Sequence, residues 1–170
     1  MRTITLLNLD DETLRRLQSG PERFCIQNGL VIGENGAILL DVVAQTTKLM
    51  ITVGGDPKWF GYLAIEELKK EIVGTCAFKG PPGTLRTVEI AYFTFPEFEG
   101  KGFGKAMAAA LIRIASSSPE VDHIIAHTLP ETNASTSILR KMGMSFAGEL
   151  MDPEDGRVWR WTLPASSTPQ

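Results

Sequence analysis

Gly100, Gly102 and Gly104 stand at alternate positions in the run Glu97-Phe98-Glu99-Gly100-Lys101-Gly102-Phe103-Gly104-Lys105, with an alanine-rich stretch starting at Ala106. Glycines this dense let the backbone turn so tightly that successive N–H groups converge on one anion, and a helix starting behind them adds the positive end of its dipole. Lys101 and Lys105 bring further positive charge to the same run. The chemistry these residues fit is a pyrophosphate cradle. A dinucleotide-binding turn would read Gly-x-Gly-x-x-Gly near the start of a strand-helix-strand unit, with an acidic residue ~20 positions on, and a P-loop would continue Gly-Lys into Ser or Thr. Here the spacing is shorter, the run lies in the second half of the chain, and Lys105 is followed by Ala106.

A cradle needs a strand in front of it and a helix behind it. Thr87 to Phe95 alternates well enough for a strand, and Phe103, Met107, Leu111 and Ile114 share one face of a helix that Ser116-Ser117-Ser118-Pro119 ends. Upstream, Thr3 to Leu7 reads as a first strand. Asp10 can cap a short helix carrying Leu14 and Leu17 and closed by Gly20-Pro21, and the apolar steps from Ala37 to Met50 favour a second helix. Trp59 to Ile65 and Glu71 to Phe78 read as a hairpin, with a loop at Gly80-Pro81-Pro82-Gly83. Downstream, His123 to Leu129 is an inner strand, and Pro130-Glu131-Thr132-Asn133 introduces a helix whose Ser135, Ile138, Leu139 and Met142 share a face before Gly143. Phe146 to Leu150 and Arg157 to Leu163 form a closing hairpin. Residues 1–164 are expected to make a single domain of the α/β (α+β) class, with 165–170 as a disordered tail.

This order of strand, cradle, helix, strand, Asn-bearing helix and closing hairpin resembles the GNAT superfamily of acetyl-CoA-dependent N-acetyltransferases over almost the whole chain. The segments Ile125 to Glu131, Leu139-Arg140-Lys141-Met142-Gly143 and Asp152 to Trp161 are similar to the RimJ/RimL-like branch, which modifies α-amines of ribosomal proteins and other amines. The resemblance implies a mixed, mostly antiparallel sheet splayed around acetyl-CoA by a bulge in the strand before the cradle. Backbone groups of Tyr92, Phe93 and Thr94 would then face the cofactor, with its phosphates on Gly100, Lys101, Gly102, Phe103, Gly104 and Lys105. The family's cofactor motif, Arg or Gln followed by spaced glycines, falls on Glu99, Gly102 and Gly104, so a carboxylate replaces a cation or amide and is expected to face solvent. The family's cofactor-contacting asparagine falls on Thr132, with Asn133 beside it.

Acetylation requires a neutral amine, and an α-amine (pKa about 8) is closer to that state at neutral pH than lysine. The resemblance implies two candidate bases, Glu89 and His127. The tyrosine that many relatives use to protonate the departing thiolate is replaced by Leu139, which leaves Ser135 as the substitute donor. Trp59, Trp159 and Trp161 either line an acceptor cleft or fill the core.

A net charge of −3 lacks the basic excess that phosphate-backbone binding needs, so no nucleic acid partner is expected, and a cationic acceptor suits the chain better. The N-terminus shows no signal-peptide core and no window approaches ~18 uninterrupted apolar residues, which predicts a cytoplasmic protein without a membrane partner. Cys25 and Cys76 lack metal-ligand spacing and read as buried thiols; no metal is expected. The partner is an amine whose identity the sequence leaves open, and a homodimer would match many relatives. Two other classes stay open: a non-catalytic acyl-CoA-binding sensor, motivated by Glu99, Thr132 and Leu139, and a purely structural domain.

Overall fold

A computed structural model describes residues 2–167. Its elements run β1 (Ile4–Asn8), α1 (Asp11–Gln18), α2 (Pro21–Gln27), α3 (Gly36–Val53), β2 (Gly61–Glu66), β3 (Ile72–Phe78), β4 (Thr87–Thr94), α4 (Phe103–Ser116), β5 (His123–Thr128), α5 (Ala134–Lys141), β6 (Ser145–Asp152) and β7 (Gly156–Pro164). Short 3-10 turns lie at Pro57–Trp59, Pro96–Phe98 and Ala165–Ser167. Asp10 caps α1 by accepting from the Thr13 N–H at 2.9 Å. Gly20-Pro21 does more than close α1: Pro21 occupies the first turn of α2, where its missing N–H costs nothing, so a helix absent from the sequence reading begins there.

The sheet has the order β1-β2-β3-β4-β5-β7-β6. β1 to β4 pair antiparallel, as do β5, β7 and β6, and one parallel contact between β4 and β5 joins the two halves. That contact covers only Thr87↔His123, Val88↔Ile124 and Glu89↔Ile125. Beyond Glu89, β4 continues to Thr94 on β3 alone, while β5 continues to Thr128 on β7 alone. The expected bulge in β4 is absent. Its register with β3 is unbroken from Phe78↔Ile90 to Gly74↔Thr94, and the strands diverge because each keeps a different partner. The closed end is pinned where the Arg86 carbonyl accepts from the N–H groups of Asp122 (2.7 Å) and His123 (3.1 Å), with the Arg86 guanidinium paired to Asp122 at 2.7 Å.

Helices cover both faces of the sheet. α4 and α5 seal one face, where Met107, Leu111 and Leu139 meet Val88, Ile90, Ile124, Ala126 and Trp161. On the other face Leu14, Leu17, Phe24, Leu39 and Val43 of α1 to α3 cover Leu63, Ile65 and Ile72. Each fully buried side chain of this size contributes ~1.5–3 kcal/mol. By length and composition α3 could cross a bilayer, yet it carries Asp41 and Lys48 and packs Leu39 and Val43 into this second core. The tail expected to be disordered from 165 instead begins with the Ala165–Ser167 turn, in which Ala165 is buried and its N–H donates to Asp122 O at 2.9 Å. Residues 168–170 lie outside the described residues.

Candidate active site

The glycine run forms a loop that enters α4. Gly102 caps this helix at φ +88°, in the left-handed region, so the chain turns there and leaves the N–H groups of Phe103, Gly104 and Lys105 without partners inside the helix. Gly104 serves close approach: a Cβ there would lie 3.0 Å from Ile138 Cδ1, 3.5 Å from Thr94 Oγ1 and 3.8 Å from Tyr92 Cε2. Phe103 is buried against Phe98, which leaves its backbone as the part able to meet a ligand. Glu99 is exposed, as expected.

Lys101 departs from the expectation. Its ammonium donates to Glu97 O at 2.7 Å and sits over the Phe98 ring, so its charge is turned back toward Glu97 rather than toward the N-terminus of α4. Lys105 is half-buried in the first turn of the helix, beside the cradle. The loop is held from outside by buried Asn35, which donates to the Glu97 carboxylate, and by Arg2, whose Nε donates to Lys101 O at 3.2 Å.

The gap between β4 and β5 has walls of different character. On the α4 side, the Tyr92 hydroxyl reaches from β4 to the Ser135 carbonyl on α5 at a long 3.5 Å, and burial pushes the phenol up to about 12. On the other face of β4, Phe93 is 45% exposed and meets Phe95 edge-on. Ser135 itself is half-buried in the first turn of α5. Asn133 is the N-cap of that helix, its Oδ1 accepting from Thr136 N–H at 3.0 Å and its own N–H donating to Thr136 Oγ1 at 2.9 Å in a capping box. Of the two candidates for a cofactor contact, Asn133 is therefore engaged by its helix, and Thr132 is exposed. Leu139 is 1% exposed and belongs to the core.

Glu89 and His127, read separately from the sequence, meet at the apex where pairing stops. Glu89 Oε1 lies 2.8 Å from His127 Nδ1 and 3.0 Å from Lys79 Nζ. His127 Nε2 lies 3.1 Å from Arg160 Nε, and a guanidinium can only donate, so this ring nitrogen is an acceptor and the proton sits on Nδ1, donated to Glu89. Both nitrogens of His127 are thus engaged, while Glu89 Oε2 has no hydrogen-bond partner among the described residues. Burial pulls the Lys79 ammonium down, but Glu89, aided by Asp155 and Asp152, outweighs it and holds the lysine above its usual range.

A family model for the acetyltransferase (GNAT) domain matches residues 10–145, more than half of the chain. The chain belongs to the GNAT acetyltransferase family. Solved structures share its fold at low identity. Spermidine N-acetyltransferase from Vibrio cholerae, in complex with CoA and spermine, aligns over 96% of both chains with a TM-score of 0.65 and 15% identity. RimL, the ribosomal L7/L12 alpha-N-protein acetyltransferase in complex with coenzyme A, aligns over 95% of this chain and 94% of its own, also at 0.65, with 14% identity. A GNAT-family acetyltransferase from Bacillus anthracis aligns over 74% of this chain and 72% of its own at 0.58, with 18% identity. The equal scores of the first two mean that the fold does not single out the RimJ/RimL-like branch. No curated protein matches significantly.

Within this GNAT fold the tryptophans divide. Trp59 is buried edge-on to Phe78, and Trp161 is buried with its indole N–H donating to Thr128 Oγ1 at 3.0 Å, so both are core. Trp159 is half-buried between Phe146 and Glu149. Lys79, Arg160 and the Tyr92 side chain were missing from the sequence reading. Arg160 left a trace there as a charged residue between two tryptophans of a strand, and pairing that strand antiparallel with His123 to Leu129 is what brings it to His127. Among the described residues no three His, Cys, Asp or Glu side chains gather as a metal site.

Proposed function

We propose that this GNAT chain transfers an acetyl group from acetyl-CoA to a primary amine, of a small molecule or a protein N-terminus, by direct attack at the apex of the strand gap. The observation that carries this reading is the gap itself. Two neighbouring strands separate after three residue pairs and turn unpaired backbone edges toward each other, and partly enclosed backbone groups of this kind require a partner. An acyl-CoA fits the residues present: the N–H groups of Phe103, Gly104 and Lys105 would hold its phosphates, Gly104 keeps the approach open, and the free edge of β4 at Tyr92, Phe93 and Thr94 would accompany its extended arm. Acetyl-CoA supplies an activated acyl group on sulfur.

The chain's own residues supply the rest. The amine's lone pair forms the N–C bond as the C–S bond breaks, the electron pair leaves on sulfur, and the amine proton moves to Glu89 Oε2 directly or through one water. His127 orients the carboxylate through Oε1 and, with both nitrogens bonded, acts as a positioning residue in this arrangement. Ser135, at the mouth beside Tyr92, is the candidate donor to the thiolate. An alkyl thiol with a pKa near 8.5 is already a tolerable leaving group, so burial of Leu139 at the position of the relatives' tyrosine does not forbid turnover.

The test is an acetyl-transfer assay with acetyl-CoA and a broad amine panel, reading acetylated product by mass. Product with the native chain, and its loss with Glu89→Gln, is the expected result. The buried Leu139 favours one other reading, a sensor that binds acyl-CoA without turnover, and binding of CoA with no product from any amine would establish it instead.

A further inference from the structure

The apex cluster has one cation with no anionic partner among the described residues. Lys79 is answered by Glu89 at 3.0 Å and feels Asp152 and Asp155. Arg160 carries five donors in a planar fork. Its Nε is engaged by His127, and among the described residues its other nitrogens have neither a hydrogen bond nor an ion pair. The residue is only half-buried, so the fork is reachable from solvent. It belongs to the same sheet face as Glu89 and His127, and in the arc from β4 to β7 that face carries exposed Phe93 and lies beyond the second core, whose sheet residues come from β2 and β3.

We infer that the acceptor carries a carboxylate next to its amine, and that Arg160 selects it: the substrate class is the free α-amino acid. This deepens the acetyl-transfer reading and rests on it. Glu89 Oε1 and Arg160 Nε are bridged by one imidazole ring and two hydrogen bonds, which sets these two atoms no more than about 8 Å apart, with the free Oε2 and the terminal guanidinium nitrogens each about 2 Å from them. An amine and a carboxylate on one carbon lie ~3 Å apart, and with a hydrogen bond of ~2.9 Å at each end they span about 9 Å, within the reach of those free atoms. The amine then meets the carboxylate that takes its proton, and the acid meets a guanidinium fork whose geometry matches it. A polyamine would bring a second ammonium against Arg160, and a peptide N-terminus would offer a neutral amide where the fork is built for an anion, so the same residue rejects both.

The experiment compares kcat/KM for free amino acids, their carboxamides and spermidine with acetyl-CoA as donor, in the native chain, Arg160→Gln and Arg160→Lys. Alongside it, the thermal shift of the CoA-bound chain is read with each acid and each amide. The expected result is a preference for acid over amide of about tenfold or more, as for a charge-assisted bond, together with a thermal shift from acids alone. The acid-to-amide ratio falls toward one in Arg160→Gln and is partly restored in Arg160→Lys, whatever happens to the overall rate. Amides and spermidine turned over as well as acids, or a ratio unmoved in Arg160→Gln, overturns the acceptor class and leaves acetyl transfer standing. No acetylation of any compound overturns both.

Discussion

Glu89 and His127 are separated by 38 residues, and only the parallel pairing of β4 with β5 makes them one unit. Their division of labour can be tested residue by residue. Glu89→Gln is expected to lower kcat/KM by about 10²–10⁴-fold, the usual worth of a positioned base, without changing CoA binding. His127→Gln is expected to cost only about tenfold, because it disturbs orientation and leaves the carboxylate in place; steady-state kinetics on the two variants would show the reverse order if the imidazole were the base. The two tyrosines, Tyr62 and Tyr92, give a second test at this scale, since burial above all pushes both phenols up to about 12. A raised folded-state value means that the folded chain holds protons the unfolded chain would release near 10. Their contribution to stability is therefore complete below pH ~10 and is lost as pH rises toward 12. Phenolate absorbance should accordingly stay low past pH ~10 in the folded chain and rise near 10 in denaturant; a rise near 10 without denaturant would mean that the phenols are solvated.

At the scale of elements, the start of α5 separates a structural role from a ligand role. Asn133→Ala removes the capping box and is expected to cost ~0.5–2 kcal/mol in denaturant unfolding with CoA affinity kept, while Thr132→Ala should weaken CoA with stability kept. Gly104→Ala places a methyl 3.0 Å from Ile138 Cδ1 and 3.5 Å from Thr94 Oγ1, which narrows the passage between α4 and the end of β4; calorimetry should show weakened CoA binding, and unchanged affinity would remove Gly104 from the cradle. These elements also show what the sequence could and could not reveal. The strand before the glycine run and the helix after it were legible because alternation gives way to a helical period on either side of a turn. α2 was hidden because Pro21 reads as a stop when taken alone, although in the first turn of a helix it is a start. The direction of the Lys101 ammonium was not legible, since the Glu97 carbonyl and the Phe98 ring become its neighbours only after the 3-10 turn Pro96–Phe98 has formed.

For the molecule as a whole, two cores lie on opposite faces of one sheet, whose two halves meet at a seam of three residue pairs between β4 and β5. Met107→Ala under α4 and Leu17→Ala under α1 each remove a fully buried side chain, and each should cost about 2–5 kcal/mol in denaturant unfolding. The fold class followed from the order of elements, but the division into half-sheets did not. It depends on β4 keeping β3 while β5 keeps β7, a choice of partners made between residues far apart in sequence. The apex network shares that origin, which is why Arg160 and Lys79 came to light only in three dimensions.

The central claim, that the gap beyond Glu89 and the first turn of α4 together receive acyl-CoA, is tested most directly by backbone amide hydrogen exchange with and without CoA. Slowed exchange in residues 90–94 and 100–105, with α1 and α2 unchanged, is the expected result. Exchange unchanged in both segments at saturating CoA, or slowed only among α1 to α3, would contradict it.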